Sequence, residues 1–181
     1  MVTIIFEPHA TTTDNEQRLS SGWNNVGLSE LGVRQAKELG SRYDLSEIDV
    51  VFTSDLERAY HTATLAFDLE PRKLLMDWRL RECDYGDHTQ HPKEEVDADK
   101  PHRVFTPFPN GESYKQTSIR MRSFLEDLYR LYDGKVVMVI GHRATQYGLE
   151  HWINDLELVD VVSAKWVWQP GWTYMLNKLA S

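Results

Sequence analysis

Three short apolar runs punctuate the chain, at Val2 to Phe6, Asp49 to Thr53 and Lys135 to Gly141. Each is rich in β-branched or aromatic residues and stops at polar ones, the pattern of a buried strand. Between them apolar positions recur at helical spacing. From Leu28 to Tyr43 one stripe carries Leu31, Gln35, Ala36, Leu39 and Tyr43, with Ser29 placed to cap the first turn. Asp55 stands where it would cap a second helix bearing Ala59, Thr62, Ala63 and Ala66. Ser113 opens a longer one with Met121, Phe124, Leu128 and Leu131. Strands alternating with helices predict an α/β layered domain whose central sheet is mostly parallel, with helices on both faces.

Two stretches break this alternation. Lys165 to Trp168 and Trp172 to Leu176 flank Gln169-Pro170-Gly171; Pro followed by Gly suits the centre of a type II turn, so a hairpin or tight reversal is expected. Residues 86–111 hold Pro92, Pro101, Pro107 and Pro109 among many charges, with a short helix around Glu94 as the one regular element expected. Loops of this length in a compact domain are commonly lids or binding loops. The aromatic cluster of Trp166, Trp168 and Trp172 is read as ordinary core.

Composition narrows the function classes. With 181 residues the chain is expected to form one domain; 41% hydrophobic and 27% charged residues are ordinary for a globular protein. A net charge of −8 disfavours nucleic-acid backbones while leaving room for a small anion in a locally basic pocket. Cys83 is the single cysteine and forms no internal disulfide, the N-terminus lacks a signal-peptide pattern, and no apolar run approaches the roughly 18 residues of a membrane span. A cytoplasmic location is expected, without membrane or nucleic-acid partners. Nothing fixes the oligomeric state.

The candidate chemistry sits at the ends of the predicted strands. His9 follows the first and His142 the last, and ligands of open α/β sheets sit beyond the carboxyl ends of strands. Two imidazoles so placed are expected to converge on one cleft. Arg58 falls in the first turn after Thr53-Ser54-Asp55, near free helix amides, where an oxyanion is welcome and an idle cation is not. Glu82, between Leu80 and the Cys83/Tyr85 side, is expected to be partly desolvated with a raised pKa, as a general acid requires. His88, His91 and His102 fall in the long loop among charges and are read as solvated residues, not as metal ligands. No glycine-rich phosphate loop or dinucleotide fingerprint is present, so no nucleotide cofactor is implied.

In order, these elements resemble the histidine phosphatase superfamily, which includes the cofactor-dependent phosphoglycerate mutases. Pro8-His9-Ala10 with Thr12 and Asn15 matches the opening motif, which in the family reads Arg-His-Gly. Gly22-Trp23, Leu28-Ser29, Gly32 and Gln35-Ala36 continue it in register. Ser54-Asp55-Leu56, Arg58-Ala59 and Thr62-Ala63 follow, then Leu80-Arg81-Glu82 with Gly86, Asn110-Gly111-Glu112-Ser113, and Val136 to His142. The resemblance implies a phosphoglycerate mutase-like fold over residues 1–181, with a lid-like insertion around 86–111. It implies a metal-independent phosphomonoesterase without cofactors, acting on a small phosphorylated metabolite or side chain. His9 would be the nucleophile that forms a phosphohistidine, Glu82 the acid and base, and Arg58 and His142 the stabilisers of the phosphoryl oxygens. Asn15 and Arg18 match positions that hold phosphate or substrate.

Two departures stand out. Pro8 removes one phosphate-binding cation from the first motif, while Arg143 adds one where the second motif normally has glycine. Arg143 is expected to swing into the space Pro8 leaves and to bind substrate there, oriented by Glu7. A mutase and a catalytically silent phospho-ligand-binding protein are the alternatives.

Overall fold

A computed structural model describes residues 1–67 and 73–179. Five strands, β1 (Val2–Pro8), β2 (Val50–Thr53), β3 (Leu74–Met76), β4 (Val136–Gly141) and β5 (Trp172–Leu176), form one sheet in the order β3-β2-β4-β1-β5. All neighbouring pairs are parallel except β1 with β5.

Alternating side chains feed two apolar layers, as period-two patterning requires. Val137 and Val139 of β4, with Val2, Ile4 and Phe6 of β1, pack on α5 (Tyr114–Leu131) and α6 (Arg143–Ile153) through Met121, Phe124, Leu128 and Leu149. Met138 and Ile140 face the other way, onto Leu39 of α2 (Glu30–Gly40) and Ala63 of α3 (Glu57–Ala66). Ser29 caps α2 by accepting a hydrogen bond from the Gly32 amide, and Ser113 caps α5 by accepting one from Gln116. Shorter helices are α1 (Thr13–Glu16), α4 (Lys93–Asp99) and α7 (Leu158–Ser163). Among the described residues no helix is long and apolar enough to cross a membrane.

Several local expectations give way to tertiary contacts. Asp55 does not cap α3; its carboxylate takes a two-pronged grip from Arg81, at 2.6 Å on each oxygen, and Leu56 stands at the cap position without a side-chain bond. Leu31 and Leu131 sit on the exposed sides of their helices. No hairpin forms around Pro170: Lys165 to Trp168 is irregular, and β5 pairs with β1 instead, where its Tyr174 and Leu176 reach the core. Residues 86–111 are more ordered than a solvated loop. They contain α4 where the short helix was expected, and they bury Val96, Val104 and Phe108 with Cys83, Tyr85, Tyr114 and Tyr147 in an apolar cluster of their own.

Candidate functional site

β1, β2 and β4 end at one level, with Pro8 opposite Gly141 and Thr53 opposite Ile140. The His9 amide donates to the Gly141 carbonyl at 2.9 Å, which carries the ladder one residue further and sets the His9 and His142 rings 5.0 Å apart. Side chains lock the loops behind them. Thr62 Oγ1 accepts from the Ala10 amide and donates to the Arg58 carbonyl, while Thr11 donates to Gln35 of α2. Gly32 lets α2 approach this closely, since a Cβ there would lie 1.9 Å from the Thr11 carbonyl oxygen. Thr145 Oγ1 accepts from the His142 amide and donates to Leu80, tying the second histidine to the segment that carries Glu82.

The His9 ring is half-buried and its Nδ1 lies 2.8 Å from the Ala10 carbonyl. A carbonyl only accepts, so Nδ1 carries the proton and Nε2 keeps its lone pair. Burial and the nearby Arg58 charge push His9 down to about 3, which keeps it neutral at ordinary pH. His142 is buried and is pushed well below the usual histidine value by burial, Arg58 and His9. Its Nε2 sits 2.7 Å from Ser54 Oγ, and its Nδ1 has no partner among the described residues.

Arg58, 2% exposed, donates to the carbonyls of Gly22 and Asn24 and has no ion pair with a carboxylate among the described residues. Burial lowers its pKa, opposed by the more distant Glu82, Tyr85 and Asp14. A buried guanidinium without a counterion carries a desolvation cost that a bound anion would offset.

Glu82 is buried beside this group and accepts from the Cys83 amide through Oε1. Its segment is held by a residue that the sequence reading passed over. Arg120, in the middle of α5, donates to the carbonyls of Arg79, Arg81 and Glu82 and grips both oxygens of Glu112. Glu112 in turn accepts from the Asp84 amide. An arginine at a helix centre reads as solvated by spacing alone; the recognisable signal was the Asn110-Gly111-Glu112-Ser113 motif that supplies its partner.

His9, Arg58, Glu82 and His142 line one cavity of ≈ 500 Å³, together with Asn15 and Arg143. Asn15 spends its side-chain oxygen on the Thr12 amide, capping α1. Arg18 is outside the cavity lining; it is exposed and paired with Glu94. Arg143 does reach the cavity, but Glu7 does not orient it. Glu7 is buried and accepts from Arg42, at 2.8 Å, and from the Tyr43 hydroxyl. Arg143 instead lies over the Trp166 ring, 5.0 Å from its centroid, and 3.9 Å from Asp97. Trp166 and Trp168 line the cavity and Trp168 is 55% exposed, so these two are cavity wall, whereas Trp172 packs on the core beside Phe6 as expected. Among the described residues no cluster of ligating side chains could hold a metal ion.

Residues 4–163 match the family model for the histidine phosphatase superfamily (branch 1). Phosphoserine phosphatase 1 of Hydrogenobacter thermophilus is 29% identical over 152 residues, covering 78% of this chain and 71% of its own length. A 2,3-bisphosphoglycerate-dependent phosphoglycerate mutase of Rhizobium johnstonii is 33% identical over 156 residues, covering 77% and 74%. The solved structure of YhfR from Bacillus stearothermophilus superposes with a TM-score of 0.81 at 24% identity, over 94% of this chain and 88% of that one.

Proposed function

Because the chain belongs to the histidine phosphatase superfamily, we propose that it is a metal-independent phosphomonoesterase working through a phosphohistidine on a small phosphorylated metabolite or side chain. Relatives named as phosphatases and phosphoglycerate mutases support phosphoryl chemistry in general. The observation that carries the hydrolytic reading is the pairing of His9, neutral with its Nδ1 tied down, with a buried Arg58 that has no counterion among the described residues. His9 Nε2 attacks phosphorus as the bond to the leaving oxygen breaks, and the Glu82 carboxyl gives that oxygen its proton. The Glu82 carboxylate then takes a proton from water, whose oxygen attacks phosphorus, and the phosphorus–nitrogen bond breaks to release phosphate and neutral His9. Arg58, His142 and the side-chain amide group of Asn15 stabilise the phosphoryl oxygens, a role for preorganised donors.

Turnover of p-nitrophenyl phosphate that persists in EDTA is the expected result. No turnover over a broad panel of phosphomonoesters overturns the reading in favour of a silent phospho-ligand binder. Similarity to mutases supports a second reading, in which a substrate hydroxyl replaces water as the acceptor. Release of free phosphate in step with substrate loss separates hydrolysis from that transfer.

A further inference from the structure

We propose that the cavity opens on its α2 side into a subsite for a positively charged group, formed by Glu7, Glu38 and the face of Trp168, and that the preferred substrate is a phosphomonoester whose body ends in an ammonium. The substrate half of this proposal rests on the phosphatase reading; the subsite itself does not.

Glu7 is 1% exposed and lines the cavity, two residues and about 7 Å along the strand before His9. Its two donors, Arg42 and the Tyr43 hydroxyl, converge on the same oxygen, Oε1. Gly171 closes over that end, since a Cβ there would lie 3.2 Å from Oε1. The other oxygen, Oε2, has no hydrogen bond among the described residues. A buried carboxylate kept only to clamp α2 to β1 would spend both oxygens on donors, because an unmatched buried acceptor is costly. Here one oxygen is left for the cavity.

The neighbouring residues carry the same sign. Pro8 also lines the cavity, so the position that lost a cation adjoins the one that holds an acid. Glu38 lines the same side from the last turn of α2; it is exposed and has no ion pair among the described residues. An acid at the negative end of a helix dipole is disfavoured, a cost that a bound cation would offset. Among the described residues this side sets two carboxylates against one cation, Arg42, already engaged with Glu7. Lys93, Lys100 and Arg143 gather instead around Asp97 on the α4 and α6 side, so the two sides of the cavity differ in charge. Trp168, 55% exposed, adds an aromatic face to the lining, and such a face attracts an ammonium. An ammonium has three N–H donors, enough to serve Glu7 Oε2 and Glu38 together.

The test compares kcat/KM for ω-aminoalkyl and ω-hydroxyalkyl phosphates of increasing chain length. At one optimal length the amine should exceed the alcohol by about tenfold or more, mainly through KM, the scale of a hydrogen bond to a charged group. Glu7→Gln, Glu38→Gln and Trp168→Leu should each shrink that ratio; positions 38 and 168 are exposed, so two of the three variants leave the core untouched. Calorimetric titration with the matching ω-aminoalkyl and ω-hydroxyalkyl phosphonates, which cannot be hydrolysed, should show the same preference in Kd. A ratio near one at every length in both assays overturns the subsite, and so does an amine preference that none of the three substitutions alters. If both series turn over equally, the phosphatase reading stands without the subsite. If neither is hydrolysed but the aminoalkyl phosphonate binds tighter and the variants lose that advantage, the subsite stands and the phosphatase reading falls.

Discussion

The inner and outer walls of the cavity are built on opposite principles. On the inner wall, His9 and His142 hang from adjacent parallel strands, and hydrogen bonds from Thr62, Thr145 and Arg120 fix the backbone on either side of them. Its cation, Arg58, is buried without a paired carboxylate among the described residues. On the outer wall, Lys93 of α4, Lys100 just after it and Arg143 of α6 crowd around Asp97, and the exposed Trp168 lines the same cavity. Rigid placement with an unpaired charge suits a transition state, whose geometry is the same for every phosphomonoester. Looser placement with partly matched charge suits the variable body of a substrate. Substitutions on the inner wall should therefore depress kcat for all substrates, and those on the outer wall should change which substrate is preferred.

The largest effect is expected at His9. His9→Ala should abolish hydrolysis and leave the circular-dichroism spectrum unchanged, and brief exposure of wild type to a labelled phosphodonor should leave an acid-labile, base-stable adduct on His9. Undiminished turnover by the variant would remove the covalent step from the proposal.

Glu82 comes next. Glu82→Gln should lose about 10²- to 10⁴-fold on alkyl phosphates, whose leaving oxygen needs a proton, and far less on nitrophenyl phosphate. Equal losses on both would assign Glu82 to the scaffold that Arg120 and Glu112 already form around it.

A smaller effect separates the walls by pH. His142 is buried and its pKa is lowered on folding, so between its folded value and the ordinary 6.5 the unfolded chain binds more protons than the folded one. Stability therefore rises with pH through that window and falls as pH drops below 6.5. One such histidine contributes up to about 1.4 kcal/mol for each pH unit. Urea unfolding at pH 7 and pH 5 should show this loss, to which His9, also lowered, contributes alike, and His142→Asn should remove about one histidine's share of it. A slope that the substitution leaves unaltered would mean that His142 titrates normally.

How much of this was legible depended on whether local pattern or distant contact decided the outcome. The strands β1, β2 and β4, the caps Ser29 and Ser113, and the convergence of His9 with His142 followed from runs and turns read in place. The edge strands were harder: β3 is only three residues long, and β5 exists because β1 offers it a free edge. Helix α6 was masked by Gly148 at its centre, a residue that lowers helix propensity but is needed there because a Cβ would come within 2.4 Å of Met121. Asp55 and Arg120 were misjudged or missed for one reason. Their partners Arg81 and Glu112 are brought in by the fold, and no spacing rule within a single element encodes them.

Arg143 belongs to both walls, and its substitution should have the smallest effect. Pro8 ends β1 opposite Gly141, and Arg143 opens α6 two residues beyond that glycine, so its guanidinium stem starts near the space a family arginine at position 8 would serve. The expected orienting partner Glu7 is committed to Arg42 and Tyr43, which leaves Arg143 held by the Trp166 face, the Tyr147 hydroxyl and a long approach to Asp97. A role for Arg143 at the phosphoryl group requires the guanidinium to turn from this position toward the His9 side of the cavity. Because its side chain is 25% exposed and shares Asp97 with two lysines, Arg143→Ala should cost about 1–2 kcal/mol in kcat/KM, less than the roughly 3 kcal/mol of a fully preorganised donor. Glu7→Gln should weaken the contact with α2 and, on substrates without an ammonium group, cost less in kcat/KM than Arg143→Ala. If Arg143 does serve in place of the lost cation, Pro8→Arg should add little to wild type yet recover part of the activity that Arg143→Ala removes. Parallel gains in both backgrounds would show the two positions to be independent, and an Arg143→Ala variant as active as wild type would leave the phosphoryl group to Arg58 and His142 alone.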